Sequence, residues 1–426
     1  MRAGKFKWVS EDRPSGCLEM RVDLHYGEGF LGADFQVRDV QLLLPSRSQV
    51  SLSVSSEVIR SIEAARARGE LSDLMSRANN ISLAVDLQQG FGQTEILVSE
   101  ILAYFQSLSS LDRVTVISPS EPVFLADGAD AFGFEITHRK PEEKNLQFVG
   151  ETPSHSTPVF VDGGFVEADL RLSLGTVRLD TVYGATGGPV SALRAACGNK
   201  TILRNQKLAA TRGAPPFGFD SAAVADARET AALLGIDFFL NTLADFEGTL
   251  CQVASGDMAT EWFPAVGSLQ GLAGIPLQQR ADIVVVTPGG FPHDATLLSS
   301  VQALAAGFLS SQHGGVILLV AECREGAGPR GFVDGVSEFG SEEELSAAAE
   351  STYRDGMEHA RLLQQVLSSR NVVLCSRLRR SLVEERLRCH AVRDPEEGME
   401  QAIPMIASRP RVSIIGYGSD SLPIPP

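Results

Sequence analysis

Short runs of β-branched and apolar residues alternate along this chain with longer stretches in which apolar residues return every three or four positions. That alternation marks βαβ units, in which parallel strands buried on both faces are joined by amphipathic helices, and it predicts an α/β fold. Strands are expected at Ile81–Asp86, Val114–Ser118, Leu170–Leu174, Phe238–Asn241, Ile283–Thr287, Val316–Ala321, Val372–Cys375 and Val412–Ile415. Helices are expected at Ser56–Arg77, Glu95–Leu108, Ser221–Leu234, Ala295–Phe308, Glu342–Thr352, Met357–Leu367 and Pro395–Ala407. The segment after Gly290 shows the reasoning. Asp294 is a good N-cap, and Leu297, Val301, Leu304 and Phe308 follow at helical spacing as a buried stripe.

Two of the expected strands open into glycine-rich loops: VVVTPGGFPHDATLLSSVQAL from Val284, and GGVILLVAECREGAGPRGF ending at Phe332. Glycine permits positive φ and close approach of backbone to a ligand, and the carboxyl ends of parallel strands are where an open α/β sheet builds its binding crevice. At 426 residues the chain exceeds one ordinary core, so two domains are expected at the usual size of about 100 to 200 residues. The break is expected within Gly267–Arg280, where Gly, Pro and Gln interrupt the periodicity.

Composition narrows the classes. No apolar run approaches the roughly 20 residues that cross a bilayer, and the basic amino terminus MRAGKFKWVSEDRPSG has no apolar segment of the secretory type after it. A cytoplasmic protein is expected. The net charge of −16 opposes nucleic acid or an anionic membrane as partner, and the basic cluster Arg377, Arg379 and Arg380 is short. Cys17, Cys197, Cys251, Cys323, Cys375 and Cys389 lack CxxC spacing, so buried free thiols are expected rather than disulfides or a zinc ribbon.

His25, His138, His155, His293, His313, His359 and His390 form no HxH or HxxxH pair, and no metal site is expected. His293 is the exception of interest because it lies inside a glycine loop. Asp86 follows a hydrophobic strand and precedes Gly90 and Gly92, a place where ligand contact and turn formation compete. The Gly187–Gly188 and Gly289–Gly290 pairs suit either an anion cradle or a tight turn. QGFGQT is not a Walker motif and GYGSDS is not a nucleophile elbow, because neither has the required flanking context.

Together VDLHYGEGFLGADF, FLNTLADFEGTLCQVASGDM at 239–258, and the GGFPHD and AECREGAGPRGF loops resemble the nickel-pincer-dependent lactate racemase family, the 2-hydroxyacid racemases and epimerases. The likeness covers nearly the whole chain and implies two parallel-sheet domains with a cleft between them. It further implies a chemistry in which hydride leaves the α-carbon of a 2-hydroxyacid for a nickel-bound pyridinium pincer and returns to the other face. Two histidines handle the hydroxyl proton and a lysine anchors the cofactor covalently. By the same resemblance VSIIGYGSDSLP returns to the first domain, giving domains of 1–275 with 408–426, and 280–407.

The family's reactive positions are exchanged here. His25 stands at the Pro of its Pro-Tyr-Gly turn. Its Asp-His-Thr-Arg run reads Asp86, Leu87, Gln88, Gln89, so a neutral amide replaces a guanidinium. Glu121 and Asp180 stand at the proton-transferring histidines, Val190 at the covalent lysine, and Gln206 at the nickel-binding histidine. Leu298 and Gln302 match a tyrosine and a lysine on the face that Asp294 begins. Lys200 and Lys207 flank the altered segment, and surface solvation is the expected role of both.

Two readings of the carboxylates follow. As a pair, Glu121 and Asp180 are the candidate catalytic groups; as ordinary residues, Glu121 caps a loop before Pro122 and Asp180 holds backbone donors or Arg178. Candidate ligand-binding residues are Asp86, Gln88, Gln89, Gly187, Gly188, His293, Asp294 and Gln302. With Val190 and Gln206 at the anchoring positions, no cofactor is expected. The expectation is a lactate racemase-like, catalytically silent binder of a small organic anion or nucleotide-like ligand, self-associating or paired with an active paralogue. The alternatives are a racemase or epimerase using a loosely held cofactor or the Glu121 and Asp180 pair, and unrelated lyase or hydrolase chemistry in the same fold.

Overall fold

The protein is described by a computed structural model over residues 7–12, 18–37, 39–69, 71–87, 93–108, 111–122, 132–406 and 409–426, with backbone alone at 7–12, 18, 19, 36 and 37. Two compact units form from interleaved stretches: Arg47–Leu208 with Gly218–Leu272, and Met1–Ser46 with Ala209–Phe217 and Ala273–Pro426.

The first unit is built on a six-stranded sheet in the order Leu250–Gly256, Phe238–Ala244, Leu170–Thr176, Asn80–Val85, Arg113–Ile117 and Glu135–Arg139. All neighbours run parallel except Leu250–Gly256, which returns antiparallel beside Phe238–Ala244. Registered pairs such as Leu172 with Leu83 stack apolar side chains in rows across the sheet. One face packs on the helices Val54–Ala67 and Gln93–Phe105 through Val58, Ile62, Leu97, Val98, Ile101 and Phe105. Each such side chain contributes about 1.5 to 3 kcal/mol on burial. The helix expected over Ser56–Arg77 is in fact two, Val54–Ala67 and Ser72–Arg77. Gly69 at φ +83° turns the chain between them, a conformation open to glycine and costly to other residues.

The second unit holds a parallel sheet in the order His390–Val392, Asn371–Cys375, Ser311–Val320, Ala281–Val286, Arg411–Ile415 and Asp39–Leu43. Arg411–Ile415 therefore does not return to the amino-terminal domain, as the resemblance implied. It pairs parallel with Ala281–Val286 on one side and Asp39–Leu43 on the other. The physical reason is that Val412, Ser413, Ile414 and Ile415 are all buried, and a strand apolar on both faces is satisfied inside a sheet covered on both sides. The first residues of the chain belong to this unit too. An antiparallel meander, Lys7–Asp12, Leu18–Tyr26 and Gly29–Val37, covers one sheet face with Met20, Val22, Leu24, Ala33 and Phe35.

The helix Leu297–Ser310 lies on the opposite face, its Gly307 against Ile317 and Val286. Leu297, Val301 and Leu304 are buried as the periodicity predicts. Its cap differs from expectation. Thr296 and Ser299 form a reciprocal capping box, and Asp294 is used elsewhere. The helix Met258–Ala273 runs into the expected break at Gly267–Arg280 and ends where the chain changes unit, after Leu272. The chain also crosses at three earlier points that its composition does not mark. Among the described residues no helix is long and apolar enough to cross a membrane.

Candidate functional site

Within the first unit, chemistry-bearing residues gather where the parallel strands end. Asp86 follows Asn80–Val85; it is buried, and its Oδ2 accepts from the Ser191 hydroxyl at 2.8 Å. On the next strand the Thr176 hydroxyl lies 2.9 Å from that of Thr94 and 2.9 Å from that of Thr242, a buried hydroxyl chain across three elements. Gln88 and Gln89 lie outside the described residues.

Gly187 and Gly188 open the helix Gly188–Ala196 at φ +81° and +46°. A Cβ on Gly188 would stand 2.5 Å from the Trp262 ring, whose Nε1 donates to the Thr186 carbonyl at 3.2 Å. The Gly188 amide donates to Asn241 Oδ1 at 2.5 Å. Close packing thus explains the glycine, and its donor is already engaged. Val190, two residues on, is fully buried and apolar.

Asp180 is held in place by backbone donors and a cation. Its Oδ1 accepts from the amides of Val182 at 2.8 Å and Tyr183 at 3.0 Å, and its Oδ2 lies 3.0 Å from Arg194 Nη2. The Arg194 guanidinium also sits 5.0 Å from the centre of the Tyr183 ring. Burial would lower the Arg194 pKa, yet the charges of Asp180 and Asp86 raise it, so the cation is firmly retained. Of the ordinary roles expected of Asp180, holding backbone donors is what these contacts show, and Arg194 is a cation that the sequence did not point to. Tyr183 continues the network: its hydroxyl donates to Asn205 Oδ1 at 2.7 Å, and Asn205 Nδ2 donates to Asp226 Oδ2 at 2.8 Å. The adjacent Gln206 has its Oε1 buried without a hydrogen-bond partner among the described residues. Lys200 is exposed, with its Nζ 4.8 Å from the Phe160 ring centre.

Glu121 follows the strand Arg113–Ile117 and is exposed. Nearby, the Ser118 hydroxyl lies 3.0 Å from His138 Nε2. Burial lowers the His138 pKa, against the opposing pull of Glu121. The strands that lead to Glu121 and Asp180 are two places apart in the sheet, about 10 Å between axes, with the strand of Asp86 between them.

The second unit carries its own cluster on the loop after Ala281–Val286. Asp294 is fully buried; its Oδ2 accepts from the amides of Gly27 at 2.6 Å and Glu322 at 3.1 Å, while its Oδ1 has no partner among the described residues. Burial raises its pKa, and the two backbone donors pull the other way. His25 is buried between the Phe30 and Tyr417 rings, with centroids at 4.6 and 5.0 Å, and its Nε2 has no partner among the described residues. Burial pushes its pKa down to about 4. Gly290 packs on the Gly27 carbonyl and the His25 side chain, and the Phe291 amide donates to Gly27 at 2.7 Å. His293 is half-buried on the same loop. Gln302 reaches the Ser419 carbonyl at 2.8 Å, and Leu298 packs on Gly328.

Sequence reasoning missed Ser191, Arg194, Asn241, the three threonines and the buried state of His25. All depend on long-range pairing, though the departure from proline marks position 25. Among the described residues no group of three or more His, Cys, Asp or Glu is placed to hold a metal ion.

Comparison with known proteins gives a consistent picture. Residues 277–421 match the lactate racemase C-terminal domain and residues 133–214 the lactate racemase N-terminal domain. The lactate racemase of Thermoanaerobacterium thermosaccharolyticum is 23% identical over 377 residues, covering 83% of this chain and 87% of the relative. That of Lactiplantibacillus plantarum is 21% identical over 417 residues, covering 93% and 98%. In structure, the T. thermosaccharolyticum lactate racemase apoprotein aligns with a TM-score of 0.82 at 19% identity, over 95% of this chain and all of that one, 100%. A Thermotoga maritima protein aligns with a TM-score of 0.62 at 11% identity, over 86% and 98%.

Proposed function

The chain belongs to the lactate racemase family, and from that premise we propose that it is a catalytically silent member that binds a small organic anion or a family paralogue. The observation that carries this reading is Val190. It stands at the position that resemblance gives to the family's anchoring lysine, and it is a fully buried aliphatic side chain that cannot form a covalent link. Gln206 stands at the position of the nickel-binding histidine and offers an amide oxygen, a poor ligand for a late transition metal compared with imidazole. The residues present at these positions therefore do not fit the nickel-pincer group.

The state of Asp180 supports the same reading. A general base must be free to take a proton at neutral pH. Asp180 is instead occupied by two backbone amides and a cation, which favours a turn-holding role over proton transfer. Buried hydrogen-bonding capacity left at Asp294 Oδ1 and Gln206 Oε1 supports retained ligand binding.

The test is exchange of the α-hydrogen with deuterium across a panel of 2-hydroxyacids, with a pincer-loaded active lactate racemase as control. No exchange is expected from this chain. Exchange that is lost in Glu121→Gln or Asp180→Asn would overturn the silent reading in favour of the isomerase alternative.

A further inference from the structure

Side chains at alternate positions of a strand share one face of a sheet. Along Asn80–Val85, Arg113–Ile117 and Glu135–Arg139, the residues Ile81, Leu83, Val114, Val116 and Ile136 face the hydrophobic core. The alternate set is polar at Asn80, Ser82, Arg113, Thr115, Thr137 and Arg139, and turns apolar only at Ala84 and Ile117 toward the carboxyl ends of their strands. Parallel sheets ordinarily bury both faces in apolar side chains; here the second face lines an open cavity of about 460 Å³, lined also by Lys144, Asn145, Gln147 and the Gly163–Ala168 turn. That volume lies in the range of small-molecule sites, about 300 to 1,000 Å³.

We propose that this cavity binds a small phosphate ester bearing hydroxyl groups. The site lies within one unit and uses none of the residues on which the proposed function rests. Three cations line it, Arg113, Arg139 and Lys144, in a chain whose net charge is −16. The Arg113 guanidinium has no ion-pair partner among the described residues. Among the described residues Lys144 pairs only with exposed Glu142 at 2.9 Å, and exposed pairs are weak enough to exchange for a better anion. Arg139 is fixed by its Nε on Asp162 at 2.7 Å, which presents the rest of the guanidinium from a rigid base. The lining carboxylate, Glu167, already accepts from Gln147 Nε2 at 3.0 Å. The Thr115 and Thr137 hydroxyls, 3.3 Å apart, sit between the cations with hydrogen-bonding capacity for an alcohol.

Isothermal titration calorimetry of the full chain at low and high salt tests this with three probes: glycerol 3-phosphate, inorganic phosphate and glycerol. Both phosphates are expected to bind, the ester more tightly, with affinity falling as salt rises, and glycerol is expected to give no heat. Arg113→Gln and Lys144→Gln should each weaken both phosphates about tenfold, the loss of one charge-assisted contact. Thr137→Val should weaken the ester alone. Equal affinity for ester and free phosphate would overturn the ester assignment. Silence toward both phosphates, or unchanged binding in the two glutamine variants with thermal melts as in the parent, would overturn the site.

Discussion

The Asp180 carboxylate and the Arg194 guanidinium lie 3.0 Å apart, with the arginine half-buried and the carboxylate more so. A residue needed for proton transfer is usually expendable for stability, whereas a buried partner in an ion pair is not. Asp180→Ala would remove the acceptor of two backbone amides and strand the cation. A loss of about 3 kcal/mol is expected, read by urea denaturation. Asp180→Asn keeps the amide acceptor and should lose less. Equal stability of both variants and the parent would speak against the structural role.

Val190 offers a second test. Replacing it with lysine restores the residue type that resemblance gives the family, at a position that is fully buried. An ammonium there must be desolvated or neutralised, and a loss of roughly 3 to 6 kcal/mol is expected. Val190→Met adds comparable length without charge and should cost about 1 to 3 kcal/mol by overpacking. Chemical denaturation of the two variants separates charge from size. A lysine variant as stable as the methionine one would mean that the site tolerates a cation.

His25 gives a pH signature. Its folded pKa of about 4 lies below the ordinary histidine value of 6.5 because burial disfavours the imidazolium. Between those values the unfolded chain binds more protons, so stability rises with pH. The contribution is complete above about pH 6.5 and is lost as pH falls toward 4, by about 3 kcal/mol. The carboxylates titrate in both proteins, so the measurement is the difference between parent and His25→Leu in urea at pH 7.5 and 4.5. Destabilisation on acidification should be smaller in the variant.

The parallel strands were legible because they are short, nearly unbroken apolar runs such as Val284–Val286 and Val412–Ile415, which only a sheet covered on both faces accommodates. The meander carries an equally plain signal of another kind. Met20, Val22 and Leu24 alternate with Arg21 and Asp23, the period of a strand buried on one face, and a search for unbroken runs passes over it. The site was less legible. Asp294 has the chemistry of an N-cap, but its carboxylate is taken by Gly27, 267 residues away, and Thr296 caps the helix in its place. Asp180 has Arg178 near it in sequence, and the helix opened by Gly188 adds Arg194 to it in space. Local pattern identified the residue type, and long-range packing chose its partner.

On the lactate racemase fold of this chain, we propose, the side chains present cannot tether or ligate a nickel-pincer group. Intact mass together with nickel content measures it most directly, with the chain expressed beside the machinery that loads an active lactate racemase and that active enzyme prepared in parallel. The account predicts a mass equal to that of the polypeptide and nickel far below one atom per chain, while the control carries both the added mass and the metal. A stoichiometric mass increment with about one nickel per chain would contradict it.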